Sequence, residues 1–160
     1  LINQNTAVRI ETAEPPKIPK FQNQRLLDKY IRAERDLLYY MMNDKNVAMM
    51  YEAKAGFMFN DIYRIIASYI IDYYRHHNQL EIADFINSIQ KEELIQTVIE
   101  ISQSPLPAKY EEQAIDDYIQ MIEQNAKRMK KEQLLEQFRY ILDPQQKAQI
   151  LNEIVKLGGH

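Results

Sequence analysis

The sequence contains no cysteine and no tryptophan, and only 3 of its 160 residues are glycine. Without cysteine there can be no disulfide, no thiolate zinc site and no cysteine nucleophile, which fits a reducing compartment and makes a cytoplasmic setting the expectation. Scarce glycine argues against a turn-rich sandwich or barrel. No apolar run approaches the roughly 18 residues of a membrane span, and the first residues lack the basic-then-apolar pattern of a signal peptide. Membrane partners are therefore not expected. A glycine-rich phosphate loop, a Gly-x-Ser-x-Gly elbow and a Glu-x-x-His di-iron motif are all missing, so no catalytic residue, metal ligand or cofactor is expected.

Proline, though uncommon, is informatively placed. Three of the 6 prolines fall within "EPPKIP", two flank Leu106, and the last is Pro144. The opening, residues 1–20, is polar, aperiodic and proline-rich, and reads as a linker. Beginning on Leu1 rather than Met, the chain reads as a piece of a longer protein whose preceding domain lies before this linker. The net charge of −3 hides an uneven distribution, because residues 21–126 carry −7 and residues 127–160 carry +3. An acidic body ends in a basic tail.

What is abundant is apolar periodicity, with 46% hydrophobic residues arranged at three- and four-residue spacing. The pattern predicts helices from Gln24 to Asn43, from Asn46 to Ala55 with Gly56 as a stop, and from Asp61 behind an Asn60 or Asp61 cap. The stripe Ile62, Ile65, Ile66, Tyr69, Ile70 and Tyr73 places that third helix at the centre of the core. Two shorter helices follow in "LEIADFINSI" and "KEELIQTVIEISQ". Tyr110 to Leu142 holds neither Gly nor Pro, and as one helix would span roughly 50 Å. The polar patch "KRMKKEQ" interrupts its apolar stripe, which predicts a hinge between Asn125 and Lys131. Asp143 at the N-cap and Pro144 at N1 start a last helix. The expected architecture is all-α: a bundle of five to six helices over residues 21–126, then a two-helix hairpin over 127–160.

Few side chains suggest chemistry. His76 and His77 are adjacent, so they point about 100° apart on a helix and do not form the usual i, i+4 metal pair. Carboxylate pairs such as Glu92-Glu93 and Asp116-Asp117 occupy first helical turns, where the helix dipole favours them. Lys127, Arg128, Lys130 and Lys131 form a basic patch suited to an acidic partner or, weakly, to nucleic acid. The last helix is apolar over about half its circumference, more than one partner helix can cover. Ala148, Leu151 and Val155 are expected to pack on Leu135, Phe138 and Leu142, leaving Ile150, Ile154 and Leu157 for a second protein, with the reverse assignment as the alternative. The candidate partner-binding set is Phe138, Ile141, Ile150, Leu151, Ile154, Val155 and Leu157.

The stretch "AERDLLYYMM", with Ala33, Glu34, Arg35, Leu37, Leu38 and Met41, follows a proline-rich linker and precedes a helical bundle and terminal hairpin. In this order it resembles the C-terminal helicase-binding domain of bacterial DnaG-type DNA primases over roughly residues 21 to 157. The resemblance implies a non-catalytic adaptor that docks on the N-terminal domains of a hexameric replicative helicase. The hairpin would supply most of the contact, the bundle would modulate the helicase, and primer synthesis would belong to domains before the linker. It also implies a structural role for Glu34 and Arg35, as a charged pair at a helix crossing. The free chain is expected to be monomeric. A related alternative is the N-terminal domain of the helicase itself; an enzyme built in a helical bundle lacks a convergent polar set.

Overall fold

The computed structural model describes the backbone of residues 20–54 and 57–158, and side chains within these from residue 28 onward. Seven helices and no strand are present among the described residues: α1 (Lys20–Asn43), α2 (Lys45–Lys54), α3 (Asp61–His76), α4 (Ile82–Asn87), α5 (Glu92–Ser102), α6 (Glu112–Tyr140) and α7 (Pro144–Gly158). The all-α expectation is met. The proposed linker, apart from Lys20, and the proposed Gly56 stop lie outside the described residues.

α1 is the central helix, packing against α2, α3, α5 and α6. The sequence pattern had put α3 there. Ala33, Leu37, Leu38, Tyr40, Met41 and Met42 of α1 are all buried, so apolar residues occupy most of its circumference in this segment. That breadth suits a helix surrounded by others better than the single clean stripe of α3 does. α3 contributes Ile66, Ala67, Ile70, Tyr73 and Tyr74, while Ile65 stays partly exposed. α2 adds Val47, Ala48 and Tyr51, and Phe85, Leu94, Val98, Ile101, Ile115, Ile119 and Ile122 are among the remaining core residues.

Tyrosine hydroxyls tie the elements together at the margins of this core, as amphipathic rings with a polar tip can. Tyr74 donates to the carbonyls of Met41 and Met42 at 2.9 and 3.1 Å, securing α3 to the end of α1. Tyr39 reaches the Leu106 carbonyl at 3.3 Å, holding the "SPLP" connection. Tyr110 bonds the Asp44 carboxylate, and Tyr118 bonds that of Asp36 at 3.3 Å.

The caps follow the sequence. Asn60 accepts a hydrogen bond from the Tyr63 N–H at 3.1 Å and starts α3. Asp143 accepts from the Gln145 N–H at 3.0 Å and starts α7. The expected hinge is absent: α6 runs without interruption through Asn125 to Lys131. Its polar patch is a mostly exposed stretch of continuous helix in which Arg128 and Met129 are half-buried. The reason is a change of partner along the helix, since α6 packs on α1 and on α7.

Candidate protein-docking surface

α6 and α7 form an antiparallel hairpin joined by the three residues 141–143. The two helices meet through Leu134 and Ile154, the buried residues of the hairpin, with Phe138, Ile141, Ile150 and Leu157 half-buried around them. Ile154 is only 9% exposed, whereas Leu151 is 51% and Val155 64% exposed. The expected facing of α7 is therefore reversed: the row Ile150, Ile154, Leu157 closes the hairpin, and the row Leu151, Val155 faces outward with Ala148. α6 changes accordingly, with Leu134 turned inward and Leu135 outward, while Leu142 is exposed in the connection between the helices. The sequence alone left the two rows nearly equivalent, because each is continuous and apolar.

The outward residues share one side. At about 100° per residue, Leu135 stands roughly 100° beyond Leu134, and Leu151 and Val155 roughly 60° to 100° beyond Ile154. Rotation in the same sense on two antiparallel helices carries both sets to the same side of their common plane. Leu135, Leu151 and Val155 thus make one exposed apolar face that nothing within the described chain covers, and Leu142 is exposed in the adjoining turn. Tyr140, also exposed, lies on the back of α6.

The basic patch does not stay together. Arg128 turns toward the bundle, donating to Asn125 Oδ1 and Glu132 Oε1 at 2.9 Å each and lying 5.7 Å over the Tyr30 ring. It is half-buried. Lys127, Lys130 and Lys131 remain exposed.

The charged pair of the opening motif also separates. Arg35 is exposed, while Glu34 is 1% exposed. The Glu34 carboxylate accepts hydrogen bonds from the backbone N–H groups of Phe59 and, at 3.0 Å, Asn60. It anchors the turn that caps α3, rather than pairing with its neighbour. Burial pushes its carboxyl above the usual range, and the two N–H bonds and the Arg64 charge oppose that push in part. Ala33, Leu37 and Leu38 are core residues, so the motif is structural in all its buried members. Sequence reasoning missed this use of Glu34 because its acceptors' partners lie 25 and 26 residues away; the only local signal was an acid on the buried row of α1.

His77 stacks on Tyr73 with ring centroids 4.0 Å apart, its Nδ1 3.0 Å from the Tyr73 carbonyl, and His76 is exposed at the helix end. Among the described residues no group of three or more His, Asp or Glu is placed to hold a metal ion, and no helix is long and apolar enough to cross a membrane.

No family model matches the chain. It is similar to the DNA primase of Halalkalibacterium halodurans, 29% identical over 138 residues, covering 86% of this chain and 23% of that protein. To the DNA primase of Staphylococcus epidermidis it is 34% identical over 101 residues, covering 62% of this chain and 17% of that protein. The chain thus spans less than a quarter of the curated relatives it matches. A solved structure described as the DnaB-binding domain of DnaG from Bacillus stearothermophilus is 25% identical, covers 80% of this chain and 90% of that one, and has a TM-score of 0.49. The resemblance to bacterial primases read from "AERDLLYYMM" and the helix order is borne out at the level of sequence.

Proposed function

We propose that this chain, a relative of bacterial DNA primases, is the part of such a primase that docks on the replicative helicase, and that it does so without catalysing a reaction itself. The observation that carries the reading is the exposed face of Leu135, Leu151 and Val155, with exposed Leu142 in the turn beside it. Exposed apolar side chains gathered on one face of a folded unit mark an interaction site, and a helical face of this kind suits another helical surface. In this reading residues 21–126 act as the bundle portion and 127–160 as the docking hairpin, held at the replication fork by the hexamer's N-terminal domains. Primer synthesis would reside elsewhere in the longer protein. The chain assayed alone should incorporate no nucleotide.

The test uses a matched hexameric helicase and sizing chromatography. Co-elution of the chain with the hexamer, and loss of co-elution in Leu151→Asp and Val155→Asp, is the expected result. Both positions are more than half exposed, so the variants should keep the melting behaviour of the parent. A chain that elutes independently of the helicase at micromolar concentration overturns the proposal.

A further inference from the structure

The apolar face of the hairpin is bordered by cations at both ends. In α6 the i, i+4 ridge runs Lys127, Lys131, Leu135, Arg139; in α7 it runs Lys147, Leu151, Val155. Because the helices are antiparallel, Arg139 and Lys147 flank the apolar centre at the turn end, and Lys127 and Lys131 flank it at the far end. Lys127 and Lys131 are exposed, and neither forms an ion pair among the described residues. Lys147 lies 5.4 Å over the Phe138 ring, at the edge of the same face.

The acids of the hairpin are directed away from this face. Glu132 and Glu136 lie toward the back of α6, each held by an arginine: Arg128 to Glu132 at 2.9 Å and Arg139 to Glu136 at 3.2 Å. Glu153 is roughly 100° from Ile154 on the side opposite Val155. Asp143 is engaged as the α7 cap. With Arg139 engaged by Glu136, Lys147 at the turn end and Lys127 and Lys131 at the far end give the apolar centre a positive rim.

Resting on the helicase-docking reading, we infer that the hairpin's partner is an apolar protein surface bordered by acidic side chains, and that Lys131 and Lys147 steer and orient it. A nucleic acid fits this face less well. Strand binding without sequence preference pairs cations with exposed aromatic platforms, but Phe138 is half-buried beneath Lys147, Tyr140 is on the back of α6, and Arg128 is withdrawn to the bundle. An acidic protein rim would meet the lysines while its apolar centre covered Leu135, Leu151 and Val155. Such rim charges act mainly on association rate and its salt dependence, and apolar centres on lifetime.

The experiment measures binding of the full chain to a matched hexameric helicase at low and high salt, for the parent, for the double variant Lys131→Glu with Lys147→Glu, and for Leu151→Asp. At low salt the double variant should bind about tenfold more weakly, mostly through slower association, and the difference should shrink to under about threefold at high salt. Leu151→Asp should lose binding at both salts. Lys131 is exposed and Lys147 half-buried over Phe138, so melting of the double variant should fall by no more than a few degrees, which keeps the comparison on binding. Equal affinity of parent and double variant at low salt overturns the acidic-rim inference while leaving the docking reading intact. Parent binding to single-stranded DNA that is tight, steeply salt-dependent and abolished in the double variant, with helicase binding unaffected, assigns the lysines to nucleic acid and overturns it as well. Failure of the parent to bind the helicase at either salt removes both readings.

Discussion

Glu34 shows how much a single buried acid can organise. Its two backbone donors come from the segment that leads into α3, so the carboxylate fixes the end of one core helix's entry turn against the middle of another. Removing a buried acceptor leaves two N–H groups without partners, which is costlier than the net worth of the bonds themselves. Glu34→Ala should therefore lower stability by about 2–4 kcal/mol, read from urea or thermal unfolding. Glu34→Gln should recover only part of this, because its amide oxygen can accept one N–H while its NH2 faces the other. Arg35→Ala, at an exposed position, should stay within about 0.5 kcal/mol of the parent. If Arg35→Ala were as damaging as Glu34→Ala, the two would be acting as the pair that the sequence suggested.

Tyrosine gives the residue scale its pH dependence. Burial pushes the Tyr51 and Tyr74 phenols up to about 12; the Asp44 hydrogen bond does the same for Tyr110, and burial beside Asp36 for Tyr118. A phenol whose folded value lies above its ordinary value near 10 favours the fold while it stays protonated. That stability is fully present below pH about 10 and is lost as pH rises through about 12. Alkaline titration should show a group of tyrosines ionising late, together with loss of helical circular dichroism. Ionisation of the full tyrosine complement near pH 10 with helicity retained would contradict the raised values of these rings.

At the scale of elements, α6 shows what periodicity conveys and what it conceals. Ile115, Ile119 and Ile122 face the bundle, and Leu134 faces α7. Between these groups the buried side rotates by roughly a quarter turn, and the polar stretch between them resembles a hinge in the sequence because no single stripe spans both partners. A helix that changes partners needs no break. Met129→Pro should therefore destabilise the chain by about 3 kcal/mol, whereas a pre-existing hinge would tolerate it; unfolding curves decide. Elsewhere the elements were legible because their signals are local. The Asn60 and Asp143 caps, the prolines at 105 and 107, and the α3 stripe each act within a few residues. The facing of α7 was not legible, since an element apolar on two adjacent rows can bury either, and the choice is made by Leu134 on another helix. Ile154→Asp therefore tests packing. It should weaken the hairpin by several kcal/mol and reduce the helicity contributed by α7, where Val155→Asp should do neither.

The whole molecule is a core with an extension. Every member of the main hydrophobic cluster lies between Leu37 and Ile122, so no residue of α7 or of the C-terminal half of α6 contributes to it. α7 packs chiefly on α6, and the cost of keeping Leu151, Val155 and Leu142 in water is borne by a segment whose loosening leaves the core intact. Such a division allows a binding element to remain apolar without endangering the fold, because local opening of an extension is independent of global unfolding. Ending the chain after Leu142 should test this. The shortened protein should retain a cooperative unfolding transition with a midpoint within a few degrees of the parent, as expected when about 1 kcal/mol or less is lost from the unit that melts. Its helicity should fall by the share of α7, and the helicase should no longer retain it on a sizing column. A transition that broadens or disappears on removing α7 would mean that the hairpin is part of the cooperative core, and that its exposed face is maintained at the expense of the whole fold's stability.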